Sequence, residues 1–380
     1  MEQTAGQVDF LVEALQLGDR ETVGYPFGND PAKIDGYRRF WAREPVERPL
    51  IGFSLKSWFP MYEFAASRAW MGFEHLTPDM IHPQDFIADQ ERLLREGEAV
   101  DDDILRGASP CQAVQWLPPM LGTRLRILGE STLAPDQNLS WPELEDISLD
   151  RQNPWYQKYL QFIRVFVDAS AGRYPVSHAT MSGPSDVAAI LRGHHNMILD
   201  FYDAPERLMR LFYRAQEIFC QVLEAQWRLT PLFHGGYFDA QYQLWAPESI
   251  VRMQEDASGL FSPALYRRLL QPVDREWARR YPCSFIHLHS TSMFILDAIL
   301  EVQEIAAFEV NRDVSGPPLE EMIPFYRTIQ DAGRPLLVRG SFTPAELGQM
   351  LDALSPAGLY LYIMVEDLDE IDPLRRVLNM

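Results

Sequence analysis

The sequence predicts an α/β fold, a (βα)8 barrel of the TIM type over residues 49–380 preceded by a helical extension over residues 1–48. Short runs of apolar, β-branched and aromatic residues alternate with segments of helical spacing, and roughly eight such strand–helix units fit into about 330 residues. No predicted strand ends in GxGxxG or GxxxxGK[ST], so an open nucleotide-binding sheet is the less favoured arrangement.

The N-terminal extension carries two predicted helices. Phe10, Leu11 and Leu15 have the spacing of one apolar helical face, and Gly18 can end that helix. The stretch KIDGYRRFWA, residues 33–42, predicts the second helix. After the first strand, residues 56–174 contain few clear strands, so we expect them to form an insertion or cap near the barrel mouth.

The predicted barrel strands are short apolar runs bounded by turn residues. They lie at residues 49–55, 175–181, 232–238, 284–290, 306–312, 335–341 and 359–365, with a further strand expected around 250–257. Capping residues mark the helix starts between them. Asp203, Ser262 and Thr343 are the predicted N-caps, and proline follows the last two directly.

Composition narrows the classes of partner and compartment. Asp and Glu total 54 against 34 Lys and Arg, a net charge of −20, which argues against nucleic acid or an anionic membrane as partner. The three cysteines are too few for a disulfide framework. The N-terminus does not resemble a signal peptide, and no apolar run is long enough to span a membrane. We therefore expect a cytoplasmic protein.

His287 and His289 stand out in the stretch SFIHLHSTS at the end of a predicted strand. Side chains at positions i and i+2 of a strand share a face, which near the C-terminal end of a barrel strand is the lumen. Two imidazoles there can transfer protons near neutral pH or bind zinc. The alternative is that they satisfy backbone groups at the strand end.

Other candidate residues follow neighbouring predicted strands. Asp256 can act as a base or orient a substrate, and Glu255 beside it is a candidate substrate contact, unless both belong to a solvated acidic loop. His234 and Tyr237 flank a Gly-Gly pair that allows close approach of a ligand or a tight turn. His178 is a further candidate, although a single histidine in an apolar run is more often a core residue.

The order and spacing of several segments resemble the uroporphyrinogen decarboxylase superfamily. These segments are YRRFWAREPVERPLIGF, GPSDVAAILRGHHNMILDFYDAPERLMRLF, DASGLFSPALYRRLLQPVDREW, FIHLHSTSMFILDAILEV and LSPAGLYLYIMV, and the likeness extends over most of residues 34–378. The resemblance implies a single-domain (βα)8 barrel. It also implies either decarboxylation of a porphyrinogen or methyl transfer linked to a corrinoid protein or a thiol.

The sequence departs from two branches of that superfamily. The decarboxylase branch has an arginine-rich motif that binds the substrate's carboxylates, and GFSLKSWFPMYEF here contains no arginine, although Asp103 in DDDIL matches the decarboxylase aspartate. The zinc methyltransferases use His-x-Cys and a distant cysteine. Here His287 matches the histidine, His289 replaces the first cysteine, and no cysteine follows Cys283. A thiolate zinc site is therefore absent.

The resemblance therefore favours an enzyme that transfers a methyl group from a small methylated substrate to a corrinoid carried by a separate protein. His287, His289 and Asp256 would form the acid/base set and Tyr237 would orient the substrate, while zinc held by the two histidines and a carboxylate remains an alternative use of the pair. Two other functions stay open: a decarboxylase that uses Asp103, and a catalytically silent ligand-binding barrel. Superfamily members are often dimers, so a homodimer is also open.

Overall fold

The computed structural model describes residues 25–56 and 61–380, and its strands fall largely where apolar runs predict them. In chain order the strands are β1 (Leu50–Leu55), β2 (His75–Leu76), β3 (Leu125–Leu128), β4 (Ser131–Leu133), β5 (Tyr237–Asp239), β6 (Leu244–Ala246), β7 (Ile250–Gln254), β8 (Cys283–His289), β9 (Ala307–Asn311), β10 (Leu336–Gly340) and β11 (Leu359–Val365). The predicted helix of residues 10–18 lies outside the described residues.

The helices cover the sheet and connect its strands. They are α1 (Ile34–Ala42), α2 (Ala65–Arg68), α3 (Ile87–Glu98), α4 (Leu117–Met120), α5 (Trp141–Glu145), α6 (Pro154–Ser170), α7 (Pro184–Arg192), α8 (His194–Asp203), α9 (Pro205–Trp227), α10 (Pro263–Leu265), α11 (Gln271–Arg280), α12 (Leu296–Leu300), α13 (Leu319–Asp331), α14 (Pro344–Ala353) and α15 (Ile371–Leu378). A π-helical turn, Tyr266–Leu270, joins α10 to α11. Among the described residues, no helix is long and apolar enough to cross a bilayer.

Six parallel strands form the central sheet, in the order β1-β11-β10-β9-β8-β7. Strands of such a sheet are buried on both faces, and β11 is accordingly apolar nearly throughout, with the sequence LYLYIMV. Because all six strands are parallel, their C-terminal ends lie at one edge of the sheet. Residues that follow β7, β8 and β9 are therefore neighbours in space.

The α/β class is confirmed, and the structure is consistent with a TIM-type arrangement. Beyond the six-stranded sheet, Ala108 and Val176 form an isolated parallel bridge. Residues 75–133 contain a three-stranded antiparallel sheet in the order β2-β3-β4, within the predicted insertion. The domain boundary between residues 48 and 49 remains a prediction. Helix α1 packs on the main body, where the Tyr37 hydroxyl donates to the Gln243 carbonyl at 2.7 Å.

Residues 175–181 do not form the predicted strand. Val176 makes only the bridge to Ala108, and residues 177–181 have no regular structure. Side chains from distant segments accept the backbone hydrogen bonds that a neighbouring strand would otherwise accept. Gln112 Oε1 accepts from the Thr180 amide at 2.7 Å, and the Tyr159 hydroxyl accepts from the Ala179 amide at 3.4 Å. Apolar composition predicted the burial correctly but not the strand.

The predicted strand at residues 232–238 is also mostly wrong, because a tight turn interrupts it. His234 and Gly235 have φ values of 48° and 77°, a left-handed conformation that a strand does not accommodate. Only Tyr237 and Phe238 of the predicted run belong to β5, whose partner β6 is antiparallel.

Two of the three predicted helix caps are confirmed. The Ser262 side chain accepts from the Leu265 amide, and Thr343 forms a reciprocal capping box with Glu346. Asp203 is not a cap, since it ends α8 and Ala204 precedes α9. Pro205 supplies the first helical φ of α9, so the N-cap position and the helix start lie one residue later than predicted.

Candidate functional site

The two histidines of β8 lie together near the C-terminal edge of the parallel sheet. His287 is in register with Gln254 of β7 and Glu309 of β9, and His289 is in register with Asn311 of β9. The strand period of two puts both imidazoles on one face. Their Nε2 atoms are 3.3 Å apart, with the rings inclined at 77°. The predicted pairing of the two side chains is therefore present.

Each imidazole has a carboxylate partner at its other nitrogen. The Glu309 carboxylate contacts Nδ1 of His287, and Asp313 Oδ1 lies 2.7 Å from Nδ1 of His289. A carboxylate accepts the Nδ1 hydrogen, which leaves a lone pair on Nε2 of the neutral ring. Two lone pairs then face each other across 3.3 Å. A proton or a cation between them relieves that repulsion.

Asp256 completes a group of three potential ligands. Its Oδ1 lies 3.8 Å from Nε2 of His287 and 3.6 Å from Nε2 of His289. The three ligand atoms all lie within 4.8 Å of one another. The side chains of Asp256 and His289 are 43% and 37% exposed, whereas that of His287 is only 7% exposed. The group is therefore reachable from solvent on one side.

The separations fit a small divalent ion. Zinc–nitrogen bonds of 2.0–2.1 Å at a tetrahedral angle require two ligand nitrogens about 3.3 Å apart. Two histidines and one carboxylate, with outer carboxylates fixing the tautomers, form a donor set typical of catalytic zinc sites, which keep a fourth position open for water or substrate. The residues present therefore fit a metal without the cysteines of the thiolate sites.

The surrounding charges set the protonation of these groups. Burial disfavours the imidazolium of His287, but Glu309 and Asp256 outweigh it and raise the pKa of His287 above its ordinary value. Burial raises the pKa of Asp313, yet the hydrogen bonds from His289, Ser290 and Asn311 outweigh burial and lower the pKa overall. Asp313 is thus held as a carboxylate that keeps the proton of His289 on Nδ1.

Tyr242 is a further member of the site that no sequence pattern indicated. Its hydroxyl lies 2.8 Å from Nδ1 of His287, and its ring packs edge-on against Phe285 at 5.7 Å. Burial and the negative charges of Glu309 and Asp239 raise the pKa of Tyr242 well above its ordinary value. The residue therefore stays a neutral phenol that can donate or accept a hydrogen bond beside His287.

Glu255 is adjacent to Asp256 in sequence, but its side chain points into a different group. It is buried, and its Oε2 accepts from the Ser185 amide at 2.8 Å. Burial and the nearby Asp274 and Asp186 raise the pKa of Glu255 well above its ordinary value. The structure thus places Glu255 in a buried acidic cluster under the site.

Asp103 and His178 lie in other surroundings. Asp103 forms a two-pronged ion pair with Arg48, and its Oδ2 accepts from the Ile51 amide at 3.0 Å, at the opposite end of β1 from the C-terminal edge. His178 is buried with Nε2 3.4 Å from Asp239, and burial lowers its pKa to about 4, so it is neutral. Neither contacts the histidine pair.

His234 and Tyr237 are also separate from it. His234 Nε2 lies 3.2 Å from the Asn29 carbonyl oxygen, and burial lowers its pKa. The Tyr237 ring packs on Trp227 at 5.2 Å. Of the predicted residues, the structure brings together Asp256, His287 and His289, while the substrate-contact roles of the others stay predictions.

Sequence reasoning missed Glu309, Arg252 and Arg339, although a signal for them was present. Each is the single charged residue of a mainly apolar strand, in AFEVN, IVRMQ and LLVRG. Charged side chains are rarely buried unless they are paired or functional. In a sheet covered on both faces, such residues are candidates for an interior site.

Comparison with solved structures shows that the fold is shared with a methyltransferase from Methanosarcina mazei. The TM-score is 0.59 at 14% sequence identity, and the match covers 90% of this chain and 98% of that chain. The sequence matches no family model, and the search of curated proteins gave no match. At this level of identity the likeness establishes a shared fold over nearly the whole length of both chains.

Proposed function

We propose that this protein is a metal-dependent methyltransferase that takes a methyl group from a small methylated substrate and passes it to a corrinoid carried by a partner protein. The observation that carries the proposal is the group Asp256, His287 and His289, whose ligand atoms converge within 4.8 Å. The shared fold with a protein named a methyltransferase supports the same reaction class.

The chain's own residues have distinct parts in this proposal. Asp256, His287 and His289 would hold a divalent ion, which supplies a Lewis acid for the heteroatom that bears the methyl group. Glu309 and Asp313 hold the Nδ1 hydrogens and orient the rings. Transfer breaks the bond between methyl carbon and heteroatom and leaves its electron pair on the heteroatom. The new carbon–cobalt bond takes its pair from the reduced corrinoid of the partner.

Exposed apolar side chains near the site support a protein partner. Leu260, Phe294 and Val314 are 43%, 54% and 107% exposed and lie on the segments that follow β7, β8 and β9. Asp256 also follows β7, and His287 and His289 are at the end of β8. Large exposed apolar side chains gathered at one place are typical of interaction surfaces. A partner seated there would bring its cofactor to the open side of the histidine pair.

The proposal includes a closed eight-stranded barrel around the site. The parallel bridge between Ala108 and Val176 supports two further strand positions between β1 and β7. The Asp103 amide donates to the Ile51 carbonyl at 3.0 Å, which supports a connection from β1 to the chain that leads to Ala108. Closure by these irregular segments is consistent with an enclosed lumen at the strand ends.

Methyl transfer is preferred to decarboxylation because of the surroundings of Asp103. A carboxylate that stabilises positive charge on a substrate must face that substrate, but the Asp103 side chain pairs with Arg48 and caps the start of β1. The Nε2 atoms of the histidine pair, by contrast, face each other and Asp256, and His289 and Asp256 are partly exposed.

Metal analysis combined with a spectroscopic assay tests the proposal. The protein is incubated with reduced free cobalamin and a panel of methylated amines, ethers and thioethers, and the visible absorbance of methylcobalamin is followed. We expect methylcobalamin with the metal-loaded protein and none after chelation or in His287→Ala. A fully metal-loaded protein that yields no methylcobalamin from any member of the panel would contradict the proposed reaction.

A further inference from the structure

Arg339 lies in the same row of the sheet as the histidine pair. It is in register with Asn311 of β9 and Tyr362 of β11, and Asn311 is in register with His289. Adjacent strands are about 4.8 Å apart, so Arg339 and His289 are two strand spacings from each other. Residues in register on neighbouring strands share a face, so the guanidinium and the imidazole lie on the same side of the sheet.

Hydrogen bonds join Arg339 to the site through an amide. Arg339 Nη1 donates to Asn311 Oδ1 at 3.0 Å, and Asn311 Nδ2 donates to Asp313 Oδ1 at 2.8 Å. The same Asp313 oxygen lies 2.7 Å from Nδ1 of His289. Asn311 thus fixes the direction of the guanidinium and also stands between its positive charge and the Asp313 carboxylate.

The charge of Arg339 has no carboxylate partner within the part of the chain that the structure describes. Two more deeply buried arginines do have one: Arg252 lies 3.7 Å from Asp239, and Arg106 lies 2.8 Å from Asp102. Arg339 Nε is shielded from solvent and also has no hydrogen-bond acceptor. What distinguishes Arg339 is that this unpaired charge lies on the sheet face that also carries the histidine pair.

A guanidinium with free donors is the side chain best suited to a carboxylate. Its planar fork binds carboxylates through charge-assisted hydrogen bonds. A neutral ligand would bind the guanidinium more weakly than a carboxylate and would be displaced more easily by water. A second cation borders the same interior region, since the Arg252 guanidinium lies 5.7 Å from the centroid of the Tyr242 ring, whose hydroxyl is 2.8 Å from Nδ1 of His287.

We infer that the substrate of this site is a small methylated carboxylic acid and that Arg339 binds its carboxylate. The inference rests on the proposed methyl transfer, because it assumes that the methyl-bearing heteroatom lies at Asp256, His287 and His289. The carboxylate and the methylated atom would then be separated by a few bonds, bridging the space between β8 and β10.

Calorimetric titration tests the inference independently of turnover. The metal-loaded protein is titrated with matched pairs of ligands: dimethylglycine and its amide, methoxyacetate and methoxyacetamide, and methylthioacetate and its amide. We expect at least one carboxylate to bind and its amide to bind at least about ten-fold more weakly. Arg339→Gln should weaken the carboxylate at least about ten-fold and leave its amide unchanged, with Arg339→Lys between the two.

Controls separate this inference from the proposed function. Arg267→Gln, which removes a surface pair with Glu301, should leave carboxylate binding unchanged, and thermal melting should show that Arg339→Gln and Arg339→Lys remain folded. Three results would overturn the inference. They are that no carboxylate binds, that an acid and its amide bind equally well, or that Arg339→Gln binds the carboxylate as tightly as the wild type does. Arginine-dependent binding without formation of methylcobalamin would leave the inference standing and refute the reaction instead.

Discussion

Glu309 lies directly beside His287 in the sheet register, and its buried carboxylate contacts the Nδ1 atom of that imidazole. The relationship fixes which nitrogen carries the hydrogen and so determines that Nε2 points its lone pair toward His289 and Asp256. A fully buried carboxylate at this place is unfavourable by itself. The position of Glu309 is explained if its carboxylate orients the imidazole of His287 for binding a ligand.

Glu309→Gln is therefore expected to weaken metal binding. The amide keeps the shape of the side chain but no longer supplies the negative charge that makes the imidazole a stronger donor, and loss of such an outer carboxylate lowers metal affinity about 10–100-fold. Competition with a chromophoric zinc chelator measures the change. Glu304→Gln, at the surface ion pair with Arg279, is the matched control and should keep the affinity of the wild type.

Metal stoichiometry gives a second prediction. The purified protein should bind one divalent ion per chain, and His287→Ala, His289→Ala or Asp256→Ala should each reduce that content to a small fraction, because each removes one of three protein ligands. Inductively coupled plasma spectrometry after dialysis is the measurement. His195→Ala, an exposed histidine on α8, should bind the ion as the wild type does. Full occupancy in His287→Ala would remove the metal from the proposal.

Sequence patterns predicted the members of the site that depend on strand period alone. His287 and His289 share a face because a strand repeats every two residues, and Asp256 follows the neighbouring strand. Tyr242 could not be distinguished from Tyr237 without the β5–β6 hairpin, whose turns place only Tyr242 beside His287.

The same limit applies to the fold. Strands β7 to β11 were predictable because apolar residues in a sheet covered on both faces form continuous runs. The stretch 175–181 has that composition too, yet its amides bond to Gln112 and Tyr159, residues that are remote in the sequence. When the hydrogen-bond partners of a segment are side chains from distant parts of the chain, the sequence of the segment itself does not reveal them.

Tyr242→Phe is expected to lower turnover without removing the metal. The substitution deletes the hydroxyl 2.8 Å from Nδ1 of His287, while Glu309 still contacts that nitrogen. Loss of one hydrogen bond to a group that carries charge predicts a fall in kcat of about ten-fold. Tyr174→Phe removes a hydroxyl that has no hydrogen-bond partner and should leave kcat unchanged. An unchanged kcat in Tyr242→Phe would show that the hydroxyl is only structural.

Asp103→Ala should affect stability and not methyl transfer. The change removes the partly exposed pair with Arg48 and the bond from the Ile51 amide, so we expect the free energy of unfolding to fall by about 1 kcal/mol. Urea denaturation measures the fall, and the methylcobalamin assay should give the rate of the wild type. Complete loss of methylcobalamin formation in a folded Asp103→Ala protein would contradict the purely structural role of Asp103.

The buried acid Asp274 predicts a pH dependence of stability. Burial raises its pKa to about 7 from an ordinary value of 3.8, in spite of hydrogen bonds with Tyr266 and Glu255. Because the folded-state pKa is the higher one, the folded protein holds a proton that the unfolded chain releases. The stabilisation is complete below about pH 3.8 and is lost as the pH rises toward about 7, with a slope of about 1.4 kcal/mol per pH unit.

Asp274→Asn tests this directly, since an amide is neutral at every pH and resembles the protonated acid. In the presence of a chelator, the free energy of unfolding between pH 5 and pH 7 should fall less steeply in Asp274→Asn than in the wild type. The two slopes should differ by up to about 1.4 kcal/mol per pH unit, the value for one proton. Asp331→Asn, an exposed residue at the end of α13, is the control and should keep the slope of the wild type. Parallel curves for Asp274→Asn and the wild type would mean that Asp274 is ionised in the folded protein and that the neighbouring Glu255 holds the proton.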